Sequence, residues 1–227
     1  MAGCAYILRI YRYEVTMKLT ILGRSAACLV VLLLAACSKQ GVKHAIGGVV
    51  VDATNLERDK IVYAEASERW HRSKRSKDDP VTVAAAEVIK EISKKNYRTP
   101  LVLLGNHYAA MALEYPLGSA ERNVILNYSR TALLDAAMLG DNYSMLSVSA
   151  SFGGWGFVNK FESAVWACVA VEFGSAKGGF LHVEMASDAF GKLNPDEKNF
   201  AQRRADALIV EIRKNKAAYD QLVGSDF

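Results

Sequence analysis

The sequence predicts an all-α protein, a short α/α solenoid of helical hairpins that follows an amino-terminal leader. Three observations point there. Apolar residues recur at helical spacing through most of residues 54–220. The chain has only four prolines, Pro80, Pro100, Pro116 and Pro195, and each falls where a helix should start or stop. No run alternates apolar and polar residues long enough to announce a strand.

The first 36 residues read as a leader. Lys18 and Arg24 precede an apolar run, Ser25 to Leu34, that ends in small residues before Cys37. The run is about half of the roughly 20 residues that a membrane-spanning helix needs. Met17-Lys18-Leu19 is a better start for such a leader than Met1, so residues 1–16 are expected to be an artefact of the assigned start. Leu34-Ala35-Ala36-Cys37 resembles the lipobox of bacterial lipoproteins. That resemblance implies lipidation of Cys37 after cleavage before it. Ser38 in place of an aspartate implies an outer-membrane anchor facing the periplasm of a Gram-negative cell. Several acyl chains on one residue anchor firmly, each buried methylene adding roughly 0.8 kcal/mol.

Residues 1–36 hold four bases, Arg9, Arg12, Lys18 and Arg24, and one acid, Glu14. Without them the net charge of +4 falls to +1. The basic balance is thus a property of the leader and gives no support for a nucleic-acid partner. Of the four cysteines only Cys37 and Cys168 follow the leader. Cys168, in an apolar helical run, is expected to be an inert core thiol.

Each element then follows in order. Residues 37–53, with Gly41, Gly47 and Gly48, read as a lipidated tether. Residues 54–98 hold two amino-terminal helices. Thr54 with Glu57 forms a capping-box pattern for the first, from Asn55 to about His71. The basic run from His71 to Lys77 reads as a solvated loop, with a contact to anionic lipid headgroups as the alternative. The second helix runs from Val81 to about Lys95. Residues 99–220 hold the repeat domain and its capping helix. Thr99-Pro100 is expected as N-cap and first helical residue of a helix to Tyr115. Further helices are expected over 119–139, closed by Gly140, over 142–152, from Asn159 to Gly174, over 176–190, and from Asn194-Pro195 to about Tyr219.

Two stretches repeat. Ala136 to Gly140 recurs as Ala170 to Gly174, 34 residues on. Leu104 to Tyr108 has an echo in Val148 to Phe152. A period in the thirties to forties built of helix pairs implies stacked hairpins. Leu104-Gly105-x-x-Tyr108, the turn Gly154-Trp155-Gly156-Phe157, and Glu162 to Trp166 with Ala170 and Gly174 together resemble the Sel1-like repeat family, relatives of tetratricopeptide repeats. Leu193 to Glu197 with Ala201 to Ala205 looks like that family's closing segment. The resemblance covers about residues 100–208. Ala132 and Ser149 depart from it where an aromatic and a glycine would stand.

No catalytic residue, cofactor or metal is expected. His44, His71, His107 and His182 lack partners at metal-site spacing, and no phosphate loop or nucleophile elbow occurs. The expected activity is binding of a protein partner through a concave face. Asn106, His107 and Met111 are its candidate residues, with His107 read as a surface or groove residue. Trp155 is a further candidate, and Phe157 is one that could instead tuck between helices. The resemblance implies either an immunity protein that neutralises a secreted phospholipase-type effector or an envelope assembly or integrity adaptor. A hydrolase of envelope polymers would need convergent acids or a histidine dyad.

Overall fold

Two adjacent glycines turn the first described element, a β-hairpin, back on itself. The computed structural model describes residues 43–154, 158–174 and 179–227, with the backbone alone for 179–182. The leader, Cys37, Trp155 and Phe157 lie outside the described residues. Lys43–Ile46 (β1) and Val49–Asp52 (β2) form an antiparallel hairpin in which Ile46 pairs with Val49 and Lys43 with Asp52. Gly47 and Gly48 take φ of +57° and +81°, as a two-residue turn that matches strand twist requires. The tether expected over residues 37–53 therefore holds a hairpin from Lys43 to Asp52. Its strands, of four residues each, are too short for periodicity to announce, and Val49-Val50-Val51 alternates buried, exposed, buried only once.

Eight helices follow among the described residues. Leu56–Arg72 (α1), Pro80–Ser93 (α2), Arg98–Ala112 (α3) and Ala120–Met138 (α4) come first. Asn142–Gly154 (α5), Lys160–Gly174 (α6), Gly179–Gly191 (α7) and Pro195–Leu222 (α8) complete the set. The caps explain most boundaries. Asp79 accepts from the Val81 amide with Pro80 in the first turn, and Ser119 accepts from the Arg122 amide. Asn194 and Glu197 form a complete capping box at α8.

Two expected starts are corrected. Thr54 makes no capping box with Glu57, because its hydroxyl and its amide both donate to the Asp52 carboxylate. Asn55 is the N-cap of α1, without a side-chain cap bond. α3 begins at Arg98 with Tyr97 as N-cap, ahead of Thr99-Pro100. Its first-turn amides find distant acceptors: Arg98 donates to the Tyr219 hydroxyl at 2.8 Å and Thr99 to the Phe227 carbonyl at 2.7 Å.

Helices α1 to α7 pack each on the next along the chain, so the polypeptide advances as a row of hairpins. The long α8 lies against α4 and α6 and touches β1. One buried cluster joins the hairpin, α1 to α4 and the end of α8 through Val51, Ile89, Tyr97, Leu139 and Tyr219. A second joins α4 to α8 through Leu133, Met145, Val165, Trp166 and Ile212. Full burial of each such aliphatic side chain contributes about 1.5–3 kcal/mol. Among the described residues no helix is long and apolar enough to cross a membrane.

The tightest helix pair is α3 with α4. A Cβ added at Gly105 would stand 2.6 Å from Leu133 Cγ, and Ser129 Oγ donates to the Gly105 carbonyl at 2.8 Å. α5 and α6 use the same device: the hydroxyls of Ser149 and Ser163 each donate to the other's carbonyl, at 2.9 and 3.0 Å. Gly105→Ala should therefore destabilise the protein by about 1–3 kcal/mol through overpacking, despite alanine's better helix propensity. Gly154→Ala, where an added Cβ meets nothing within 4 Å, should be neutral or stabilising. Urea unfolding midpoints of the two variants check this, and equal midpoints would refute the close-approach argument.

Candidate functional site

The edge of the molecule where α3 turns into α4 carries the most exposed apolar side chains. Leu113 and Leu117 are 72 % and 88 % exposed, on either side of Pro116. They border an apolar groove of about 340 Å³ whose floor is Ala109, Ala110 and Leu126. Arg122 and Asn123 form its polar rim, and Gly154 at the end of α5 forms its far wall. Arg122 donates to the Tyr115 carbonyl at 3.2 Å, so the guanidinium is held across the turn. The groove exists because small alanines of α3 face the start of α4 where larger side chains would close the gap.

The basic loop reaches this edge. The Lys77 amide donates to Glu114 at 3.0 Å, and its ammonium lies 4.8 Å from the centre of the Tyr115 ring. Arg75 stacks on Trp70 at 4.7 Å. The Lys74 amide donates to Asp79, whose carboxyl is held below its ordinary range by that bond first and by the Thr82 hydroxyl next.

Of the residues expected to bind a partner, Asn106, His107 and Met111 all lie on α3. Asn106 is half-buried on α3 and accepts from the Tyr143 hydroxyl of α5 at 3.4 Å, a link between two first helices of successive hairpins. Met111 is half-buried and lies outside the lining of the groove. Trp155 and Phe157 are outside the described residues, one and three positions after the groove wall at Gly154.

His107 is a correction. It is buried, at 7 % exposure, and Nδ1 accepts from Trp70 Nε1 at 3.2 Å. That bond places the ring proton of the neutral form on Nε2. Burial pushes its pKa below the ordinary value, and Glu87 and Glu114 oppose the shift. Sequence spacing could not reveal this, because the partner is on α1, 37 residues away.

Sequence reading also missed Arg98, a buried and heavily engaged side chain. Its guanidinium donates to the Leu139 carbonyl at 3.3 Å, to Asp220 at 3.1 Å and to the Ser225 carbonyl, and lies over the Tyr219 ring. Leu113 and Leu117 had a signal that was available: leucines on either side of Pro116, just before Gly118, are apolar residues in a segment that runs over the surface.

The arrangement offers binding chemistry. Cys168 is half-buried, and burial pushes its thiol up to about 11, with Asp206 adding to the shift, so it is protonated at neutral pH. Among the described residues no three His, Cys, Asp or Glu side chains stand close enough to hold a metal ion. No protein-family model matches the chain, and no curated protein matches it in sequence.

The His107 geometry has a pH consequence. The folded-state pKa is depressed below the unfolded value of about 6.5, so the unfolded chain binds more protons between the two. Stability from this site is complete above about 6.5 and is lost as pH falls through the folded-state value. Urea midpoints should hold from about pH 8 to pH 6.5 and decline below it. In His107→Gln that decline should flatten, and an unchanged slope would mean that His107 is not the group responsible.

Proposed function

We propose that the protein is a lipid-anchored component of a Gram-negative cell envelope, held through Cys37, whose helical domain binds a protein partner in the periplasm. In this reading the hairpins α3–α4 and α5–α6 are Sel1-like repeats. The observation that carries the binding role is the apolar groove bordered by Leu113 and Leu117. Two leucines this exposed, side by side over a pocket, are the kind of surface that a partner's apolar side chain covers.

The sharpest form of the proposal is an immunity protein that neutralises a secreted phospholipase-type effector. What supports it is the combination of a lipoprotein-like leader, a likeness to Sel1-like repeats and a groove with binding chemistry. Occlusion of an effector demands tight shape complementarity and no reaction. An envelope assembly adaptor would use the same groove on a resident partner, and capture experiments in intact cells separate the two.

Two measurements test the reading. Cys37→Ser should release the protein from the membrane fraction; full-length chain that stays bound would remove the lipid anchor. Leu113→Asp with Leu117→Asp should leave the unfolding midpoint in place, since both side chains are exposed, and should weaken partner binding at least about tenfold. The partner assay is periplasmic expression of the product of the neighbouring gene. Toxicity relieved by the wild-type chain and not by the double variant is the expected result. Absence of toxicity would exclude the immunity role.

A further inference from the structure

The first hairpin of the row leaves one face bare. In a stack of hairpins each pair buries its apolar face against its neighbours, and a terminal pair needs a polar outer face to remain soluble alone. α2 is covered on one side by α3. On the other side, Val62 of α1 and Val81 and Val88 of α2 are 36 %, 48 % and 37 % exposed around a groove of about 440 Å³. Ala66, Ala84 and Ala85 form its floor. The apolar stripe of α2 that would serve a preceding hairpin is thus in place, and among the described residues no element fills it.

The charges in this groove indicate what does. Glu65 and Arg69, one turn apart on α1, both line it. Among the described residues neither has an ion-pair or hydrogen-bond partner within the chain. A closed two-fold contact brings residue i of one copy onto residue j of the other and j onto i. An axis midway between the two positions sets each Glu65 opposite the other copy's Arg69, twice, with the valines packed around them. The face is apolar and carries one acid and one base at symmetric positions, so it is complementary to itself.

We infer that the α1–α2 face is the homodimer interface of this protein, with a second copy of the chain supplying the hairpin that the row lacks. The interface is separate from the groove at Leu113 and Leu117, which lies on the α3–α4 turn, so each protomer keeps its partner site.

Sedimentation equilibrium of the full-length chain in a density-matched non-ionic detergent tests this. The wild type should sediment as a dimer. Glu65→Arg alone and Arg69→Glu alone should each raise the dissociation constant at least about tenfold, because each sets like charges opposite one another. The double swap, Glu65→Arg with Arg69→Glu, should restore dimerisation to within a few-fold. Val81→Asp should abolish it. Urea midpoints of the variants taken at monomeric concentration show whether the subunit itself stays folded, which these exposed positions should permit. A monomer at about 50 µM overturns the proposal, whether the groove is empty or covered by residues upstream of Lys43. So does a double swap that dissociates as readily as the single variants.

Discussion

The architecture depends on how closely α3 approaches α4 and α5 approaches α6. At both crossings the contact is made by residues with little or no side chain, Gly105 against Ser129 and Leu133, and Ser149 against Ser163. The serine hydroxyls at these crossings are themselves buried, and an unpaired polar group there would cost about 1–3 kcal/mol; each instead donates to a carbonyl of the facing helix. The same device thus serves two successive helix pairs. The glycine of the first and the serine of the second are alternative means to one spacing.

A row of hairpins has open ends and an open back, and α8 deals with the back. Its 28 residues span both buried clusters. It is tied at its far end by Arg98, a buried cation whose charge is matched by Asp220 and whose remaining donors meet carbonyls. Loss of one member of such a group leaves the others buried and unpaired, so the tie acts as a unit. The β-hairpin joins the same end. Gly47 lies so close to Asn215 that any side chain there would displace it, and Gly140 stands close to Lys216. Tyr97 connects these parts by donating to both the Asp52 carbonyl and the Asp59 carboxylate, which Lys95 neutralises.

The two surfaces of interest follow from this frame. The groove at Leu113 and Leu117 opens where the α3–α4 turn is too long to close over the alanines of α3. On the α1–α2 face, Val62, Val81 and Val88 stay exposed, while the end of α8 shares a buried cluster with Trp70 and Ala66 of α1. Among the described residues the buried histidine, His107, is committed to Trp70.

What the sequence determined by itself was local. Helix number and approximate limits, the stop at Gly140 and the cap at Asn194 were legible, since each depends on side chains within about one turn of each other. The hairpin escaped because four-residue strands are too short to show a period. The early start of α3 escaped because its caps come from Tyr219 and Phe227, more than a hundred residues on. His107 looked like a groove residue for the same reason, with nothing near it in the chain to betray Trp70. Which apolar side chains are core and which are left bare is a question of what packs against them. Val81 and Val165 are the same residue in the same kind of helix, yet one is half-exposed and the other fully buried. Only the tertiary arrangement distinguishes them, because burial is a property of neighbours that the chain brings together after its helices have formed.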